Sequence, residues 1–150
     1  MTIYISSDHG GFELKKKIVG WLAEQGKSVV DMGPAALDPE DDYPVYAFPL
    51  AEKVAKNSDD IGILICRSGN GMAIAANKVK NVRAAVCFTP AHAQKARDHN
   101  NANILVLDAD YQSESMHIEI VRNFLNSTFD AGRHTRRLQQ IARYEAQHLR

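Results

Sequence analysis

The segment Ile61-Gly62-Ile63-Leu64-Ile65-Cys66-Arg67-Ser68-Gly69-Asn70-Gly71 decides the fold. Five of its first six residues are apolar, with no polar alternation. A strand with one wet face alternates, whereas a strand covered on both faces reads as a continuous apolar run, the habit of parallel sheets. Two glycines then turn the chain, and residues 72–78 start a short helix. A buried strand, a glycine-rich turn and a helix are the first half of a right-handed parallel crossover.

The alternation extends in both directions. Upstream, residues 2–6 read as a strand, Gly10-Gly11 as a turn, and 12–25 as a helix carrying Phe12, Leu14, Ile18, Trp21 and Leu22, ended by Gly26. Residues 28–31 form a second strand and 32–42, with Gly33, Pro34 and Pro39, a loop. A helix begins at Pro44 behind Asp42 and continues to about residue 57, with Pro49 shortening or bending its first turn. Downstream lie a strand at 83–88, a helix at Pro90–Asn100, a strand at 103–107, a helix at 114–124, a connector at 128–134 and a last helix at 135–149. This order predicts an α/β fold: a three-layer, doubly wound, Rossmann-like sheet of five parallel strands. Residues 1–134 form its core and 135–150 an extra C-terminal helix, in one domain spanning 1–150. That helix has a thin apolar stripe (Leu138, Ile141, Ala142, Leu149) and a basic start, Arg133-His134-Thr135-Arg136-Arg137. Both features predict that it packs on a partner subunit.

Composition excludes several classes. The 150 residues hold 18 Lys+Arg against 18 Asp+Glu, with 45 % hydrophobic and 24 % charged residues. Enough apolar material is present to exclude disorder, and a chain this long buries roughly 70 % of its unfolded surface. Zero net charge, with no basic run beyond Lys15-Lys16-Lys17, argues against nucleic acid as a partner. The apolar stretches fall far short of the ~18 residues that span a membrane. Residues 1–6 have no secretory pattern, and two cysteines are too few for a disulfide framework, so a cytoplasmic location is expected.

Ligands of open parallel sheets bind beyond the carboxyl ends of the strands. That rule gathers Asp8-His9-Gly10-Gly11, the turn after Cys66, and Thr89-Pro90 at one edge. Cys66 ends the buried strand just before a helix, where a thiol titrating near ~8.5 is drawn toward neutrality. It suits a general base or nucleophile, and an isolated cysteine there also suits a small apolar filler. The turn that follows favours chemistry, because its N–H groups can converge as an anion nest. Asp8 fits either a helix cap or a group that activates a hydroxyl, and His9 a donor to phosphate. His99 lies where a helix C-terminus favours a cation. Arg133, His134, Arg136 and Arg137 fit either solvated charge or a phosphate clamp. Cys87 reads as core. No metal is expected: no Cys/His pair has ligand spacing, and His92 and His99 sit seven apart without a third ligand. The turn is neither a Walker loop nor a dinucleotide fingerprint.

Several motifs occur in order: Asp8-His9-Gly10-Gly11-Phe12 with Leu14-Lys15; Asp42-Tyr43-Pro44; residues 62–66 with Ser68-Gly69-Asn70-Gly71; Ile74-Ala75-Ala76-Asn77-Lys78; His99-Asn100 with Asn103; and Gly132-Arg133-His134 with Arg137. Over nearly its whole length the chain resembles the family of ribose-5-phosphate isomerase type B and the galactose-6-phosphate isomerase subunits.

The resemblance implies an aldose–ketose isomerase of sugar phosphates in carbohydrate metabolism. It implies no cofactor, a homodimer or homotetramer, and active sites shared between subunits. It makes Cys66 the base that moves a proton between C2 and C1, and the N–H groups of Ser68, Gly69, Asn70, Gly71 and Met72, with the Ser68 hydroxyl, the nest for the enediolate oxygen. Asp8 and His99 would open the furanose ring, His99 from the partner. His9, Arg133, His134 and Arg137 would hold phosphate, and Tyr43 and Asn100 sugar hydroxyls. Alternatives are a tetrose or hexose phosphate as substrate, or a non-catalytic sugar-phosphate-binding module. Two positions depart from the family pattern. Arg67 stands where a small residue is usual. Asp108-Ala109-Asp110 replaces a segment that commonly carries a phosphate-gripping Arg. Either Arg67 supplies the missing charge, or the substrate differs and Asp110 contacts its hydroxyls.

Overall fold

A computed structural model describes residues 1–149; the last residue of the predicted C-terminal helix, Arg150, lies outside them. Five strands form one wholly parallel sheet: β1 (Ile3–Ser7), β2 (Val29–Asp31), β3 (Ile61–Cys66), β4 (Ala84–Val86) and β5 (Ile104–Asp108), in the order β2-β1-β3-β5-β4. Helices cover both faces, as the unbroken apolar reading of β3 requires; all six of its residues are buried. One face takes α1 (Phe12–Glu24), α4 (Pro90–Asn100) and α5 (Glu114–Asn126), which bury Ile18, Leu22, Ala93, Ile120 and Phe124 against Ile63, Ile65 and Leu105. The other takes α2 (Pro44–Val54) and α3 (Asn70–Ala76), with Leu50, Val54 and Met72 against Leu64 and Val106.

The chain leaves β1 toward β2 and returns past β1 to β3, so its direction of winding reverses between β1 and β3. At such a switch point the two outgoing turns part and leave a crevice. Here they are 8–11 and 67–70. The approach at this point is close: a Cβ on Gly11 would lie 2.6 Å from the Ile65 carbonyl oxygen. Lys15, 1 % exposed, ties α1 to the end of β2, its ammonium bonding both Asp31 oxygens (2.7 and 2.8 Å) and the Pro34 carbonyl (2.8 Å).

Several elements differ from expectation, among them α2, which ends at Val54 and not near 57. Strand β4 spans three residues where six were predicted, because it is an edge strand paired only to β5. Helix α3 begins at Asn70, inside the predicted turn, because Gly69 takes the left-handed conformation (φ +80°) and starts the helix. The last helix, α6 (Arg133–His148), starts two residues before 135, so Arg133 and His134 belong to its first turn. Pro49 leaves α2 continuous. Among the described residues no helix is long and apolar enough to cross a membrane. Helix α6 stands off the sheet: only His134 and Glu145 are buried along it, while Ile141 and Tyr144 are 49 % and 64 % exposed.

Gly11→Ala should destabilise the protein by about 2–3 kcal/mol, since the obstruction is main chain that cannot rotate away. Thermal unfolding at fixed protein concentration should show Tm lowered by roughly 4–12 °C.

Candidate active site

The carboxyl edge of the sheet gathers the first set of predicted residues. Cys66 closes β3 and is 6 % exposed, its side chain on the same face as Leu64, Val106 and Met72. Its Sγ accepts a hydrogen bond from the Gly69 N–H at 3.2 Å. The Ser68 hydroxyl accepts from the Asn70 N–H at 3.4 Å. Gly71 and Met72, at the start of α3, lie beyond the reach of intrahelical partners, so their N–H groups are free to meet a ligand. Tyr43, just before α2, lays its ring over this turn: a Cβ on Gly71 would meet three of its ring carbons at 2.8–3.0 Å. Cys87 is fully buried and its thiol is pushed up to about 12 by burial, which leaves it inert core.

The β1 turn supplies two titratable groups. Asp8 is buried and its Oδ1 accepts the Gly11 N–H at 3.2 Å, so it caps the single 3-10 turn His9–Gly11. Burial lifts its carboxyl above the ordinary range, against that N–H, which lowers it. His9 is clamped by Asp41: the carboxylate accepts from the main-chain N–H at 3.0 Å and from Nδ1 at 2.6 Å. This bond raises the His9 pKa above its ordinary 6.5. Burial pushes the Asp41 carboxyl up, but the two His9 donors, the Tyr46 hydroxyl and the His9 charge together outweigh it and its pKa falls below the usual value. Sequence reading missed Asp41; the only signal was its adjacency to Asp42-Tyr43-Pro44. Arg67 and Asp110 meet: Arg67 Nη1 lies 3.4 Å from Asp110 Oδ2, and the Asp110 N–H donates to the Arg67 carbonyl at 3.1 Å. Below them, His117 Nε2 donates to the Asp108 carbonyl at 2.7 Å, both residues fully enclosed.

The second set lies elsewhere. His99 and Asn100 end α4, which delivers the chain back to the start of β5. Arg83 Nε reaches the Asn100 and Asn101 carbonyls, and Asn103 bonds the start of β3 through Gly62. This is the amino edge of the sheet, separated from Cys66 by the length of β3, roughly 17 Å at ordinary strand rise. Here His99 stacks on His134 (ring centroids 4.3 Å apart, 12° between planes), and Arg137 Nη1 approaches His134 Nδ1 at 3.4 Å. Burial, then the charges of His99, Arg133 and Arg137, lower the His134 pKa. Asp130 joins them, giving three potential ligand atoms within 4.8 Å of one another; Asp8, His9 and Asp41 form a similar group. Neither group includes His92, so the fold gives the His92 and His99 pair no third ligand. Thr89 caps α4 through the His92 N–H and lies behind edge strand β4, apart from the β1/β3 crevice.

The class defined by this fold and edge is a doubly wound α/β protein with a cysteine, a carboxylate-bound histidine and a turn of free N–H groups at its switch point. Residues 3–141 match the Ribose/Galactose Isomerase family, and the chain belongs to that family. The probable ribose-5-phosphate isomerase B of Mycoplasma genitalium is 50 % identical over 145 residues, covering 96 % of this chain and 95 % of that one. The ribose-5-phosphate isomerase B of Mycobacterium tuberculosis is 35 % identical over 149 residues, covering 99 % and 92 %. Among solved structures, the Mycoplasma genitalium enzyme with bound ribulose 5-phosphate superimposes with a TM-score of 0.94 at 49 % identity, covering 97 % and 96 % of the two chains. The type B enzyme of Trypanosoma brucei gives 0.90 at 41 % identity, covering 97 % and 100 %.

Asp41 should hold a positive charge on His9 above pH 6.5, the ordinary midpoint. In an NMR titration Asp41→Asn should return the His9 midpoint toward that value. Sulfate, whose charge is constant across this range, should lose affinity at lower pH in Asp41→Asn than in the wild type. Coincident titrations and sulfate profiles would remove Asp41 from this role.

Proposed function

We propose that this chain interconverts ribose 5-phosphate and ribulose 5-phosphate by proton transfer through an enediolate, with protein groups alone carrying the proton. The observation that carries the reading is the Cys66 sulfur held by the Gly69 N–H at the switch point, beside the unpaired N–H groups of Gly71 and Met72. The hydrogen on C2 of an aldose is acidified only by the neighbouring carbonyl. Its removal calls for a placed base, worth ~10²–10⁴ in rate. Donors aimed at the developing oxyanion add ~10²–10³ each. In the proposed cycle Asp8 and the partner's ring-opening His99 equivalent free the aldehyde. Cys66, as thiolate, takes the C2 proton, and the negative charge that forms on O1 is met by the turn 68–72. The proton returns to C1, the O2 hydroxyl proton passes to O1, and the ketose leaves. Tyr43 and Asn100 bind sugar hydroxyls. His9, Arg133, His134 and Arg137 hold the phosphate, whose remote binding energy places the reacting carbons.

Such a site joins the carboxyl edge of one subunit to the amino edge of another, and the proposed assembly is a homodimer or a dimer of dimers. Two observations support it: the two residue sets stand a strand length apart in one chain, and α6 carries uncovered apolar residues beside a groove of about 330 Å³ lined by Val82, Ala84, Ala102, Leu138 and Ile141. In this reading residues 1–134 form the catalytic body and 135–150 the arm that reaches the partner. The two free thiols fit a reducing cytoplasm.

Cys66→Ala should abolish both turnover and exchange of solvent deuterium into ribose 5-phosphate while sulfate still binds. Persistent exchange would exclude Cys66 as the base. Mixing Cys66→Ala with His99→Ala and letting subunits exchange should restore about a quarter of wild-type activity, because half the dimers are then mixed and each mixed dimer keeps one whole site. No recovery, with mixed dimers shown to form, would mean that each chain holds its own complete site. A panel of tetrose, pentose and hexose phosphates tests the sugar: preference for any but ribose 5-phosphate would replace the substrate named here.

A further inference from the structure

Arg67 is the one cation inserted between the cysteine and its turn, and its placement is unusual for a surface arginine. Its side chain crosses Gly10, the residue after His9, so closely that a Cβ on Gly10 would sit 2.5 Å from Arg67 Cγ. The stem is thus held down while the guanidinium stays open to solvent, 64 % exposed. Its charge is felt at His9, whose protonation it opposes. His9 and Arg67 thus stand on adjoining turns, and each is braced by a carboxylate from another loop: His9 by Asp41, Arg67 by Asp110. The bracing differs in strength. Asp41 grips His9 at 2.6 Å and takes its main-chain N–H as well. Asp110 reaches Arg67 through one nitrogen at 3.4 Å and from an exposed position, so most guanidinium donors remain free. A fixed stem, free donors and a loose acidic guide describe an arm prepared for an oxyanion. A closed structural ion pair would use both arginine forks.

We propose that Arg67 is a phosphate ligand supplied by the same subunit as Cys66, and that Asp110 is a positioning residue that aims it. This rests on the isomerase reading for its substrate. The geometry also explains how an acidic residue is tolerated beside a dianion: Asp110 is screened by the guanidinium it holds, and its own N–H is tied to the Arg67 carbonyl, which links the loops after β3 and β5. The Asp110 carboxylate then serves Arg67 and is not free for sugar hydroxyls.

The test is the response of the full-length protein to ribose 5-phosphate in steady-state kinetics and to sulfate in calorimetry. Arg67→Ala should raise KM and weaken sulfate about tenfold, with kcat changed far less, as for a contact made equally in ground and transition states. Arg67→Lys should recover part of the loss, a point charge without the fork. Asp110→Ala should raise KM by about threefold and Asp110→Glu should restore it, a rescue that a purely structural role would not produce. The reversed pair Arg67→Asp with Asp110→Arg should bind sulfate better than Arg67→Asp alone. Sulfate affinity within twofold of wild type in Arg67→Ala would overturn the assignment. A lower KM in Asp110→Ala would overturn the positioning role, since Asp110 would then be holding the arginine away. If wild-type protein binds sulfate but leaves ribose 5-phosphate unchanged, the isomerase reading fails while the sulfate series still decides the role of Arg67.

Discussion

The parallel pairing of β1 with β3 is the constraint on which the rest depends. Five residue pairs in register, from Ile3 with Ile61 to Ser7 with Ile65, end β1 one residue before β3 closes at Cys66. The turns that follow are then forced to part around the switch point, one leading to α1 and the other to α3. The Asp8 N–H bonds the Ile65 carbonyl, so the first residue of one turn is tied to the strand that leads to Cys66. A slip of one residue would carry Cys66 to the opposite face of the sheet, away from Gly69 and α3. The geometry of the two turns and core packing are thereby set by one ladder, and neither can drift without the other.

The same regularity explains why one chain holds the proposed site only in part. In a parallel sheet every helix runs back from the carboxyl edge to the amino edge, so residues that close α4 must lie a strand length from residues that close β3. His99 and Asn100 are in that position by topology, whatever their chemistry. Starting beside them through the Asp130 N–H bond to the Asp98 carbonyl, α6 keeps Arg133, His134 and Arg137 at the amino edge as well. A second copy is the simplest way to bring such residues over Cys66, and α6, with Ile141 and Tyr144 uncovered, is the element free to bind it.

Much of this was legible from local pattern. The bounds of β3 and α4 coincide with expectation because one is an uninterrupted apolar run and the other is closed by Thr89-Pro90 at its start and Asn101, in the left-handed conformation, at its end. Edges were less legible where tertiary pairing sets the length, as in β4. The Asp41–His9 pair was barely legible: it joins residues 32 apart, and adjacency to Asp42-Tyr43-Pro44 is the one mark Asp41 carries in a loop of several acidic residues. Asp130 was missed for the same reason. Metal-ligand spacing, a one-dimensional rule, had no means of finding His99 and His134, which lie on different helices and meet only when α6 folds against α4.

Charge at the carboxyl edge follows one scheme. Lys15 is buried and fully bonded by Asp31 and the Pro34 carbonyl, which leaves no donor for a ligand and makes it structural. The His9 ring is bonded through Nδ1 alone, which fixes the ring and leaves Nε2 without a bonded partner among the described residues. Arg67 is bonded least of all. Exposure rises in the same order, from 1 % through 28 % to 64 % of the side chain. A cation becomes useful to an anionic ligand only to the extent that its carboxylate orients it without consuming its donors. Lysine in the core, histidine at the rim and arginine over the crevice are three settings of that balance.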